Sequence, residues 1–198
     1  MRPLIVIEHV SQDGVIQGPG SLYEDTSHHF QKGGWIIPYS DESVGEFIKN
    51  IMRSSFDLLL GRKTYDLWAA YWPFHDGWKE ANQAIKYVVS HQSYPSLWEP
   101  TIFINSDVVE KILKLKQGDG KPIHVWGSSE LVETLIKHDL VDNLWLMVYP
   151  IHLGEGKKLF QFESLENYFH EVGHHVSPQG VQMIKYDKRI VSLDDLSS

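Results

Sequence analysis

The chain has 198 residues, 42% of them apolar, enough to bury one sizeable core, and it reads most simply as a single domain over 1–198. Its 18 Lys and Arg against 26 Asp and Glu leave a net charge of -8, which repels a phosphate backbone and an anionic bilayer, so neither nucleic acid nor a membrane is an expected partner. The absence of cysteine excludes a disulfide framework, a thiolate nucleophile and a cysteine-bound metal.

The apolar run at the N-terminus stops at Glu8-His9, too early for a signal sequence, so a cytoplasmic location is expected. That run predicts a buried strand at 3–10, followed by a long Gly- and polar-rich connection over 11–41. A connection of that length in a compact fold is usually functional, and Gly14, Gly18, Gly20, Gly33 and Gly34 are candidate hinges for a lid. Val44, Phe47, Ile48 and Ile51 fall at helical spacing and predict a helix over 42–54. Strands at 56–60, 86–90, 101–104 and 122–126 then alternate with helices at 64–71, 79–85, 107–116 and 129–138. After residue 140 only strands remain, at 144–149, 168–176 and 181–186, the last two joined by the turn Ser177-Pro178-Gln179-Gly180. The pattern specifies an α/β fold with a doubly wound mixed sheet, mostly parallel and ending in an antiparallel hairpin.

Two strand-to-helix turns can hold phosphates. The strand at 56–60 runs into Gly61-Arg62-Lys63-Thr64-Tyr65, delivering a glycine, two cations and a hydroxyl to the start of a helix. This is either an anion site or a capped helix end with surface charges. It is not a phosphate-binding P-loop, because Phe56 stands where that motif needs another glycine. The second turn is Gly127-Ser128-Ser129 after Ile123-His124-Val125-Trp126, with Glu130 in the first helical turn expected to face solvent. No Gly-x-Gly-x-x-Gly fingerprint occurs. Together the two turns suit an extended dinucleotide lying across the carboxyl edge of a parallel sheet.

Several stretches, in order, resemble the dihydrofolate reductase-like family, and within it the reductase domain of the riboflavin-biosynthesis deaminase/reductase and its stand-alone bacterial relatives. They are Ser11-Gln12-Asp13-Gly14-Val15-Ile16, the turn at Gly61, Val88-Val89-Ser90, Gly127-Ser128-Ser129-Glu130-Leu131, Leu140-Val141-Asp142, Tyr149-Pro150 and the segment Gly154–Phe160. The resemblance implies an NADPH-dependent reductase that passes a hydride to a pyrimidine- or pterin-like heterocycle, similar to 5-amino-6-(5-phosphoribosylamino)uracil reductase, and a homodimer. It assigns the cofactor to Ile16 at the nicotinamide, to Gly61, Arg62, Lys63 and Thr64 at phosphates, to Ser90 and His91 near the adenosine, and to Gly127, Ser128, Ser129 and Leu131 at the pyrophosphate. Asp13, Trp35 and Pro38 are the candidate substrate contacts. The acid that grips a pterin early in the second helix has only Asp41 and Glu42 as counterparts, and the late-strand hydroxyl position holds Met147.

A hydride transfer also needs a proton, and Asp41 is the candidate donor if an apolar cleft raises its pKa. Its other reading is an N-cap in Ser40-Asp41-Glu42-Ser43. The apolar strand at 144–149 is expected to leave a sheet edge or face for a second subunit. Two alternatives compete with the reductase. One is an NADP-binding module without chemistry. The other is a zinc hydrolase through His170-Glu171-Val172-Gly173-His174, which requires both histidines on one face of a helix. The glycine and the following turn make that segment half of a hairpin, where the two histidines stand roughly 13 Å apart, so no metal is expected.

Overall fold

The computed structural model describes residues 1–160, 165 and 168–189. Its core is one eight-stranded sheet built from β1 (Leu4–Ser11), β2 (Asp57–Gly61), β3 (Lys86–Val89), β4 (Thr101–Ile104), β5 (Ile123–Trp126), β6 (Asn143–Tyr149), β7 (Phe169–Val176) and β8 (Gln182–Lys188). The strands lie in the order β4-β3-β2-β5-β1-β6-β8-β7. The first six are mutually parallel, while β8 runs antiparallel to β6 and β7 antiparallel to β8. The helices are α1 (Glu42–Met52), α2 (Arg62–Ala69), α3 (Lys79–Gln83), α4 (Val108–Gln117) and α5 (Ser129–Lys137).

Period-two alternation along β1 divides the core. Ile5 and Ile7 join a cluster with Trp35, Trp78, Trp126, Met147 and Tyr149 on one face, and Leu4, Val6 and Val10 join Ile16, Leu131 and Leu135 on the other. With helices covering both faces of its parallel part, the sheet opens at the carboxyl ends of β2, β5 and β1. Arg2 is buried against Asp57 at the opposite end, and Lys116 pairs there with Asp142, which also accepts a 2.6 Å bond from the Leu4 backbone. These pairs fix where β1 enters the sheet.

Three expectations need correction. The strand at 144–149 leaves no edge, because β6 is hydrogen-bonded to β1 on one side and β8 on the other; among the described residues the edge strands are β4 and β7. The second helix begins at Arg62 and not at 64, so both cations lie within its first turn. Lastly, the 11–41 connection is extensively tied down. Ile16 and Leu159 bond to Lys157 and Gly14 across a short antiparallel bridge, the Trp35 indole donates to the Gln17 carbonyl at 2.8 Å, and the buried Gln17 side chain donates to the carbonyls of Asp25 and Ser27. The His170–His174 segment lies in β7, an exposed edge strand with a bulge between Glu171 and Gly173, which is not the helix that a zinc protease motif requires.

Candidate cofactor and substrate site

β2 and β5 are neighbours in the sheet, so their two carboxyl-terminal turns meet. The Gly61 backbone donates to the Ser128 hydroxyl at 3.0 Å, and that hydroxyl lies 3.0 Å from the Thr64 hydroxyl. Only glycines fit the contact. A Cβ on Gly61 would stand 2.4 Å from Ser128 Oγ, and one on Gly127 would stand 2.7 Å from Thr64 Oγ1. Gly127 and Ser128 both adopt left-handed backbone, with φ of 61° and 69°. The first bond within α5 runs from the Val132 N–H to the Ser128 carbonyl, which leaves the N–H groups of Ser129, Glu130 and Leu131 without helical acceptors. The positive ends of α2 and α5 thus converge on one point of the sheet edge.

The other assigned residues fall into place around this point in different ways. Arg62 is exposed and pairs with Asp66 at 2.9 Å one turn along, and Lys63 is also exposed. Arg62 is therefore held only by a weak surface contact. Ser90 is buried with its hydroxyl turned back onto the Gln92 carbonyl, whereas His91 is exposed. The Leu131 side chain is buried in the core, so only its backbone N–H faces the turn. Glu130 faces solvent as anticipated.

On the substrate side, Asp41 takes the N-cap reading of its two, not the proton donor's, and Asp13 is engaged by backbone N–H groups. Asp41 caps α1 by accepting from the Val44 N–H at 2.9 Å, and its second oxygen accepts from Gln179 in the β7–β8 turn. The bonds from Val44 and the Ser177 hydroxyl hold its carboxyl below the usual carboxylate range, the reverse of what a proton donor needs. Asp13 binds the Leu153 and Gly154 backbone N–H groups at 3.1 and 2.7 Å. Those bonds and the Ser11 hydroxyl outweigh its partial burial and hold it well below the carboxylate range, so it tethers the loop and does not face a ligand. Pro38 is exposed in a short 3-10 turn, and Trp35 is buried with its ring edge-on to Tyr149 at 5.4 Å. A small hollow of about 190 Å³ lined by Gln17, His28, Phe30, Glu155, Gly156 and Lys157 contains none of the assigned residues.

Sequence reasoning passed over the residues at the carboxyl end of β1. Glu8 is buried on one face, where burial raises its pKa well above the ordinary range despite a bond from the Gly127 N–H, and its Oε1 has no partner among the described residues. His9, on the other face, places Nδ1 2.9 Å from the Tyr149 hydroxyl and packs against Tyr149 and Trp126 with ring centroids 5.6 and 6.4 Å apart. Burial lowers His9 to about 4 and raises Tyr149. The available signal was a Glu-His pair closing an otherwise apolar strand, which had been read only as the end of a hydrophobic run.

Comparison with known proteins accounts for this architecture. The family model described as the RibD C-terminal domain matches residues 3–185. The chain belongs to the RibD C-terminal domain family. Two curated relatives come from Bacillus subtilis (strain 168). The uncharacterized protein YyaP is 32% identical over 166 residues, covering 80% of each chain, and the uncharacterized protein YwjB is 30% identical over 186 residues, covering 92% of this chain and 96% of the relative. Among solved structures, a putative riboflavin biosynthesis protein from Shewanella sp. PV-4 superposes with a TM-score of 0.65 at 21% identity, covering 95% of this chain and 99% of that one. Dihydrofolate reductase from Enterococcus faecalis, complexed with NADP(H) and RAB-propyl, superposes at 0.64 and 17% identity, covering 95% and 97%. The RibD C-terminal domain chain therefore has the dihydrofolate reductase-like fold. No helix among its described residues is long and apolar enough to cross a membrane.

Proposed function

We propose that this RibD C-terminal domain protein is an NADPH-dependent reductase acting on a small flat ring. The observation that carries the reading is the junction of two helix N-termini through Gly61, Thr64 and Ser128 at adjacent strand ends, with hydroxyls and free backbone N–H groups suited to a pyrophosphate. The groups present fit the cofactor. The one acid bonded to the second turn, Glu8, is held toward its neutral form and so does not oppose a phosphate. Bound NADPH would supply the hydride, while the chain orients the partners and excludes water through the 11–41 lid. The capped state of Asp41 favours a second reading, a module that binds NADP without turnover. Consumption of NADPH during a screen of ring substrates separates the two.

We assign Arg62 and Lys63, two exposed cations at the start of α2, to the 2′-phosphate, the feature that distinguishes NADPH from NADH. Because the Arg62–Asp66 pair is exposed, its loss costs little on its own, and Arg62→Ala should raise the NADPH Kd about 10-fold more than the NADH Kd. Equal losses measured by titration of nucleotide fluorescence would remove Arg62 from that phosphate. A homodimer is the second proposal. With β6 interior, it rests on the exposed edge strand β7, where Val172 and Val176 are 51% and 53% exposed. Light scattering at micromolar concentration should return twice the 22.9 kDa chain mass, and a monomeric mass would refute it.

A further inference from the structure

The face of the sheet opposite Glu8 carries polar groups that the cofactor reading does not use. At the carboxyl ends of three adjacent strands stand Trp126 of β5, His9 of β1 and Tyr149 of β6, with Trp35 and Tyr39 of the lid laid edge-on against Tyr149 at 5.4 and 6.0 Å. Trp126 is 6% exposed, yet its indole N–H has no acceptor among the described residues. An unpartnered buried donor is costly, and a ligand that accepts from it recovers that cost. His9 is only half-buried. Its Nδ1 lies 2.9 Å from the Tyr149 hydroxyl, a pair in which either atom can donate, and Nε2 bonds to no described residue.

We infer that the Tyr149 hydroxyl donates to His9 Nδ1, which leaves the proton of the neutral ring on Nε2, and that this aromatic box receives a flat, uncharged ring bearing conjugated carbonyl groups, such as a quinone, whose oxygens accept from His9 Nε2–H and Trp126 Nε1–H. Two neutral N–H donors call for acceptors on the ligand. Among the described residues on this face, no carboxylate is free to receive the amino and N–H edge of a pterin, since Asp41 is occupied in capping α1 and the β7–β8 turn. Asp41 is still close enough to raise Tyr149 electrostatically, and its charge opposes an anionic substrate. Lys185, the cation on this face, lies over Phe47 and Trp145, four residues down β6 from Tyr149 and so roughly 13 Å away, too far to offset a phosphate in the box.

The inference rests on the reductase reading for its chemistry. A quinone gains one hydride and one proton and becomes a hydroquinone as NADPH becomes NADP⁺. His9 and Trp126 donate to the oxygens on which negative charge grows, and the proton arrives from water. Tyr149 is a positioning residue that fixes the His9 tautomer.

The test uses the intact protein and 2,3-dimethoxy-5-methyl-1,4-benzoquinone, with a 2-amino-4-oxopteridine and a phosphorylated aminouracil riboside as competitors. Calorimetric binding of the quinone, measured without cofactor, should weaken about 5- to 10-fold in Trp126→Phe, which keeps the ring and removes the donor. His9→Phe should weaken it similarly. Tyr149→Phe should lower kcat while leaving quinone affinity within about 2-fold, because the donor remains but its tautomer is no longer fixed. The NADPH Kd should be unchanged in all three variants. Stronger binding of the pterin or of the phosphorylated compound overturns the inference, as does quinone binding indifferent to Trp126→Phe and His9→Phe. Should a variant not fold, the comparison of the three ligands on the parent protein still decides. Loss of NADPH binding by the parent protein, with quinone binding intact, would refute the reductase reading and leave the box standing.

Discussion

Gly61→Ala is expected to destabilise the protein by about 1–3 kcal/mol and to raise the NADPH Kd about 10- to 100-fold. Backbone strain is not the reason, because Gly61 has a φ of −73° that any residue adopts. The reason is space. An added Cβ would lie 2.4 Å from Ser128 Oγ and 2.9 Å from Ser128 Cβ, so the two turns must part, and their hydroxyl link is the element that brings the N-termini of α2 and α5 together. The companion variant identifies the cause. Ser128→Gly removes both clashing atoms and places a glycine where the backbone is left-handed, although it loses the hydroxyl's bonds to Gly61 and Thr64. The double variant should therefore be more stable than the sum of the single effects predicts, by about 1 kcal/mol or more in urea melts. Simple additivity would mean that the turns do not meet as described.

Glu8→Gln is expected to make the protein more stable at neutral and alkaline pH and to leave it nearly unchanged in acid. Burial raises the folded-state pKa of Glu8 above the ordinary value of 4.5, so the folded state keeps a proton that the unfolded chain releases. Stability from this group is complete below about 4.5 and falls as pH rises toward the folded pKa. Glutamine does not titrate and keeps an acceptor for the Gly127 N–H. The advantage of the variant should grow with pH by about 1.4 kcal/mol for each unit by which the pKa is raised. Urea melts at pH 4, 6 and 8 read it directly. A difference that does not depend on pH would place Glu8 in contact with water or with an unseen cation.

The sheet was legible because buried parallel strands announce themselves as short apolar runs, and the runs at Phe56–Leu60 and Ile123–Trp126 also carried their turns in plain view. Adjacency of β2 and β5 was not readable, since it depends on strand order, and so the Gly61–Ser128 contact could be expected only as a shared edge. For Asp41 the sequence left the proton donor and the N-cap both open for a related reason. Its cap to Val44 is local and visible in the sequence, but the second set of bonds comes from Ser177 and Gln179, which the β7–β8 turn delivers from the far end of the chain. Asp13 follows the same pattern through Leu153 and Gly154. His9 and Trp126 stand at the ends of apolar runs legible in the sequence, but whether a side chain has a partner is a property of the folded surroundings alone.

The central position of β1 bears on how the chain reaches this fold. Residues Leu4–Ser11 pair with Ile123–Trp126 and Asn143–Tyr149, more than a hundred positions later. The whole intervening stretch must be in place before the middle of the sheet can form, and until then a strand with the sequence Leu-Ile-Val-Ile stays unpaired on both edges. Closing loops of that length delays the rate-limiting contacts, so refolding from urea should be slow for a chain of this size, and fragments that stop short of residue 143 should aggregate.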